Sequence, residues 1–222
     1  MVRNMKEKDG CVYSIAADNT PVAGCTISHQ IYQEHGYNIS YFSMAEGTNI
    51  SAETYEYPKL VLVDSGTMEV FTGKGAKWQV TEGECLILPQ GVPVGMRTVE
   101  GCVYTEVSFR KETVMNKVLK DGEVFRLQEL LPYQDGKIIN MDLVDEPKMK
   151  FVLMSFAEGT GLTEHAAPGE AMIFALDGQG IIGYEGKEHT IKAGENFKFA
   201  KNGRHYVKAN GNFKMALLLT LE

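Results

Sequence analysis

No stretch of this sequence stays apolar for the ~18 residues that a bilayer-crossing helix needs, so no membrane partner is expected. The opening residues, MVRNMKEKDG, carry charges where a secretory leader would carry an apolar core, so no leader is expected either. Cysteine is sparse. Cys11, Cys25, Cys85 and Cys102 form no C-x-x-C pair, which excludes zinc-ribbon and thioredoxin-like motifs. Free thiols and a cytoplasmic setting are the expectation. The chain has no lysine and arginine cluster, and its formal net charge of −7 argues against a nucleic-acid partner. Helical periodicity is weak nearly everywhere, and no helix-turn-helix pattern is present. Histidine is limited to five positions.

What is there is an ordinary globular composition, 44% hydrophobic and 23% charged over 222 residues, enough for one large core or two small ones. The chain also repeats itself. KDGCV at Lys8 to Val12 answers KDGEV at Lys120 to Val124, and SMAEGT at Ser43 to Thr48 answers SFAEGT at Ser155 to Thr160. Gly24, Ile27 and Gly66 answer Gly136, Ile139 and Gly178, all at an offset of 112. One deletion later, Gly83-Glu84 answers Gly194-Glu195 at an offset of 111. A repeat this long is a duplicated domain, with halves at residues 1–112 and 113–222. The tandem halves are expected to pack as an internal pseudo-dimer, with a homodimer open.

Each half consists of short strand-like runs separated by turns rich in Gly, Asn and Lys. In the second half they are KFVLMSF, AMIFAL, GIIGYE, EHTIKA, NFKFA, HYVKA and FKMALLLTL. That spacing is the pattern of an all-β barrel or sandwich. A short helical segment is expected at the start of each half, ETVMNKVLKDG in the second.

The frame of residues within each half resembles the two motifs of the cupins, small jelly-roll β-barrels. In the second half Gly159, His165, Ala167, Ala171 and Gly178 fall on the first motif's glycine, two histidine, glutamate and closing glycine positions. Gly194, Ala200, Asn202 and His205 fall on the second motif's glycine, Pro-x-Gly and histidine positions. The first half carries Gly47, Glu53, Tyr55, Lys59 and Gly66, then Gly83, Pro89, Gly91 and Val94, in the same frame. The resemblance covers nearly the whole chain and implies an all-β protein of two tandem cupin barrels.

In that family four ligands, three histidines and a glutamate, hold a divalent metal such as zinc, iron, manganese or nickel. Here the resemblance leaves two of the four, His165 and His205. Strand alternation puts His165, Ala167, Gly169 and Ala171 on one face. Glu170 has the opposite parity and would need a bulge near Pro168-Gly169 to turn inward. Two readings stay open for His165 and His205: a metal site completed by water or substrate, with Glu170 as a weaker third ligand, or a histidine couple lining a pocket. The candidate ligand-binding residues are His165, Ala167, Glu170, Ala171 and His205. The small residues Ala167, Gly169, Ala171 and Ala175 suggest an open cavity, unless Phe197, Phe199 or Met215 fills it. His29, His35 and His189 are expected at the surface. No metal is expected in the first half. There Glu53 and Lys59, six apart, are expected to form a buried ion pair in the ligand positions, unless Pro58 turns Lys59 out to solvent. The function implied is a small-molecule-binding protein with its pocket in the second half. The alternative is a metal-dependent enzyme, such as a dioxygenase, isomerase or lyase, working only there. The cupin fold hosts both.

Overall fold

The computed structural model describes residues 7–221. The chain is all-β in sequence order: β1 (Val12–Tyr13), a one-turn helix α1 (Ile15–Asp18), β2 (Thr26–Glu34), β3 (Tyr37–Met44), β4 (Asn49–Thr54), β5 (Lys59–Thr72), β6 (Lys77–Thr81), β7 (Cys85–Ile87), β8 (Pro93–Arg97) and β9 (Cys102–Ser108). It continues through β10 (Val124–Phe125), a 3₁₀ turn at Leu127–Glu129, β11 (Ile138–Glu146), β12 (Met149–Phe156), β13 (Gly161–Ala166), β14 (Ala171–Tyr184), β15 (Lys187–Lys192), β16 (Asn196–Phe199) and β17 (Arg204–Thr220). The second series repeats the first, with β17 running through the positions of both β8 and β9.

Two compact units result, each a jelly-roll-like barrel. One spans Ile15–Arg126 and is called the N-barrel here; the other, the C-barrel, holds residues 7–14 and 127–221. These boundaries lie 14 residues beyond those of the sequence repeat (126 against 112), because the first strand of each half joins the other half's sheet. β1 pairs β16 in the C-barrel, with Val12 opposite Phe197. β10 pairs β7 in the N-barrel, with Val124 opposite Leu86. Each unit therefore has one small strand supplied by the other half of the duplication.

The N-barrel sheet runs β10-β7-β5-β9-β3-β2, with β4, β6 and β8 attached through β8 and β5. The C-barrel sheet runs β1-β16-β14-β17-β12-β11, with β13 on β17 and β15 on β14. Alternation sets the inner face. In β6, KWQVT, Trp78 and Val80 reach the core while Lys77, Gln79 and Thr81 do not. The run Ala171–Ala175 is buried at every position, as an unbroken apolar run predicts. The 14-residue strands β5 and β14 bend midway at Gly66 and Gly178. Both have φ near +70° (+77° and +68°), and a Cβ there would overlap the carbonyl oxygens of Gly101 and Asn212 respectively. Those two motif glycines are needed for that corner.

The expected helix in ETVMNKVLKDG does not form. Residues 112–122 are turns and irregular chain with one bridge, Asp121 to Ile87, and the Asn116 side chain accepts a hydrogen bond from the Val118 amide at 3.1 Å. That side chain offers the backbone an alternative to the helical bond. The short helical turns fall elsewhere, at Ile15–Asp18 and Leu127–Glu129. No helix among the described residues is long and apolar enough to cross a membrane.

Candidate functional site

β13 and β17 bring the two motif histidines of the C-barrel face to face. After a bulge between Leu162 and His165, His165 stands directly opposite His205 in the register. The ring centroids are 4.4 Å apart at 56°. His205 is buried and stacks on Phe199 at 4.2 Å, while His165 is exposed. Each imidazole is held by the carbonyl two residues before it. His165 Nδ1 is 2.8 Å from the Thr163 oxygen and His205 Nδ1 is 2.9 Å from the Gly203 oxygen. A carbonyl oxygen only accepts, so Nδ1 carries the proton in both rings and a neutral ring keeps its lone pair on Nε2. Burial holds the pKa of His205 below its usual value; the Gly203 carbonyl opposes that shift, and His165 adds to it. His205 is thus a neutral base at pH 7, half of a preset pair.

The turn that delivers His205 explains an odd residue in the motif. Asn202 occupies a glycine position and adopts φ +62°, a left-handed conformation that asparagine tolerates. Its amide donates to the Ala167 carbonyl at 2.9 Å. The N-barrel makes the same bond between Gly91 and the Tyr55 carbonyl, also at 2.9 Å. This link ties the second motif's turn to the first motif's strand in both barrels.

The remaining expected site residues do not join the pair. Ala167 is buried beneath that turn. Ala171, at the glutamate position, lies in the core beside Ala175, Phe197, Phe199, Phe213 and Met215. Of the small residues, Ala171 and Ala175 pack in one buried cluster with these large side chains from facing strands. Glu170 points away from the histidines and pairs with Lys198 at 3.0 Å; Lys198 also lies 3.6 Å from Asp9. Its strand neighbours Phe197 and Phe199 point inward, so Lys198 is on the outer face and draws Glu170 there. Gly169 fixes this turn: a Cβ would overlap the carbonyl oxygen of Thr220. No register shift falls at Pro168-Gly169, and the Glu170 carboxylate is engaged by Lys198.

Tyr184 was not among the expected residues. It stands opposite His205 in the register and packs 5.6 Å from Phe199 and 5.8 Å from Phe197. Its hydroxyl accepts from the Ala200 amide at 3.4 Å, and its ring lies where side chains at Gly10 and Gly203 would be. Its even spacing from the buried Ile182 was the available signal. Of the other histidines, His35 is exposed, but His29 and His189 are half-buried against Tyr41 and Phe197, both at 5.3 Å.

Among the described residues, no group of three or more His, Cys, Asp or Glu side chains is placed to hold a metal ion. Structural zinc and most catalytic metals take at least three protein ligands. The two imidazoles do not fit a resident metal centre of that kind.

In the N-barrel the expected Glu53–Lys59 pair is absent. Lys59 is buried, but its partner is Glu106 on β9, at 2.7 Å. Glu53 is exposed and accepts from the Tyr55 hydroxyl at 3.3 Å. β4 ends at Thr54 and β5 begins at Lys59, so strand parity is not carried across the turn between them. Pro58 is buried and does not send the lysine to solvent.

Residues 152–221, within the C-barrel, match the family model described as a cupin domain. The chain as a whole is similar to a cupin 2 conserved barrel domain protein from Leptotrichia buccalis, at 27% identity and a TM-score of 0.84. That match covers 96% of this chain and 97% of the other. Oxalate decarboxylase from Lactobacillus farciminis shares the fold at 11% identity and a TM-score of 0.54, covering 95% of this chain and 86% of its own. Salicylate 1,2-dioxygenase from Pseudoaminobacter salicylatoxidans does so at 10% and 0.60, covering 83% and 70%. No curated protein matches the chain at a significant level.

Proposed function

We propose that the chain is a two-domain cupin that binds a small molecule at the His165–His205 pair of the C-barrel, without metal-dependent catalysis. The observation that carries this reading is the pair itself. Two facing imidazoles have Nδ1 fixed to carbonyls, and no described residue hydrogen-bonds either Nε2. Two imidazoles fixed in orientation, each with Nε2 free to accept, suit a ligand that presents hydroxyl or amine donors. One imidazole is sheltered and stacked on Phe199, and the other is open to solvent, so a ligand can enter past His165 and be held against His205. The alternative, a metal-dependent enzyme in this barrel, requires a third donor near the pair. The position that would supply it holds Ala171, and Glu170 is drawn off by Lys198.

The reading is tested by mass spectrometry of small molecules released when the purified protein is denatured. A compound that accompanies the wild type and is depleted in His165→Ala and His205→Ala supports it. Equal release from all three proteins, or none from any together with imidazole NMR signals that no metabolite panel moves, refutes it.

A further inference from the structure

The N-barrel carries a polar patch inside its sheet that its duplicate lacks. Across β3, β9 and β5, Asn38, Ser108 and Lys59 stand in one row, and Ser40, Glu106 and Val61 in the next. The same rows of the C-barrel are Lys150, Leu219 and Ala171, then Val152, Leu217 and Ile173. The fold therefore closes and packs with Ala and Leu where the N-barrel has Lys59 and Glu106. Taking an ion pair out of water is costly, and apolar replacements are often as stable. Folding does not require this pair, which points to a role in binding.

The chemistry of the patch is specific. Lys59 Nζ donates to Glu106 Oε1 at 2.7 Å and lies 3.8 Å from the centre of the Tyr55 ring. Ser108 donates to the same oxygen at 3.3 Å. No described residue hydrogen-bonds Oε2 of Glu106, and the ammonium keeps a further N–H. The pair lines a cleft of about 570 Å³ together with Tyr57 and Asn38, a volume in the usual range for small-molecule sites. The cleft's formal charges cancel: Lys59, Arg110 and Lys111 against Glu34, Glu106 and Glu112.

We infer that this cleft binds a neutral polyhydroxylated molecule of monosaccharide size. A hydroxyl both donates and accepts, so neighbouring hydroxyls can donate to Glu106 and accept from Lys59 while the pair stays intact. The Tyr57 ring offers a surface for the ligand's C–H face. A small carboxylate fits less well, since it would compete with Glu106 for Lys59 and be repelled by it. This site lies in the other barrel and does not depend on the histidine pair.

Calorimetric titration with D-glucose, D-xylose and myo-inositol, and with malate and citrate as anionic probes, tests the assignment. The proteins are the wild type, Lys59→Met/Glu106→Leu and His165→Ala. At least one neutral probe should bind the wild type saturably and His165→Ala equally well. Losing hydrogen bonds to charged groups should weaken it ~10-fold or more in the double variant. If circular dichroism shows that variant unfolded, Glu106→Gln replaces it, with the same expected direction. No binding by any neutral probe, binding of malate or citrate alone, or undiminished binding in the altered cleft would overturn the inference.

Discussion

Breaking the Lys59–Glu106 pair should cost far more than removing it. Both side chains are about one-tenth exposed (9% and 11%) and lie 2.7 Å apart. Lys59→Met leaves the Glu106 carboxylate in that setting with only Ser108 as a donor. Loss of one partner of a buried pair costs ~3–5 kcal/mol. The residual exposure favours the lower end, about 3 kcal/mol, or on the order of 6–12 °C in Tm for a chain this size. Glu106→Leu alone strands the ammonium and should cost a similar amount, softened by its contact with Tyr55. The double change installs at 106 the leucine that the C-barrel carries at Leu217, and should fall within about 1 kcal/mol of wild type or above it. Urea unfolding of the four proteins, at low and at high salt, gives the coupling energy. A strong coupling that high salt barely reduces is expected, because a buried pair is poorly screened. Two small, additive effects would show that the pair is solvated, and the reasoning would fail.

Stability should fall as pH drops below about 6.5, the unperturbed histidine value. His205 has a lowered pKa when folded, so the unfolded chain takes up its proton first; His205→Gln should reduce that dependence in urea melts, and an unchanged pH profile would argue against a buried neutral ring. Phe199→Ala should cost ~3–5 kcal/mol, because the ring is buried and fills the space beside Ala171. A loss under about 1 kcal/mol would instead indicate an open cavity there. Cys11, Cys25, Cys85 and Cys102 form no disulfide, so titration of the denatured, unreduced protein should find all four thiols. Burial raises the Cys102 thiol to about 11, so in the native protein it should react slowly, and modification as fast as at the exposed Cys11 would contradict its burial.

Much of the fold was legible because a duplication shows its frame twice. Repeat-mates such as Gly66 and Gly178 mark the same strand corner, and the strand runs recur at the same offset. The meeting of His165 and His205 was legible from motif spacing. Glu170 does pair on the outer face, but it lies in the turn between β13 and β14, where strand parity does not decide its direction. What sequence could not show was pairing between distant strands. Glu106 is 47 positions from Lys59 and reaches it only through the β5–β9 register, whereas Glu53 is close in sequence but separated by a turn. The exchange of β1 and β10 was equally hidden, since two-residue strands have no periodicity. Runs of small residues did not distinguish empty space from space filled by partners, because Phe197, Phe199 and Phe213 come from other strands.

Metal content tests the central claim most directly: that His165 and His205 bind a ligand as a pair and do not hold a resident metal. Elemental analysis of the purified, dialysed wild type should find substoichiometric zinc, iron, manganese and nickel, with the same residue in His165→Ala and His205→Ala. A full equivalent of one metal per chain, lost in both variants, would contradict the account and establish the C-barrel as a metal centre.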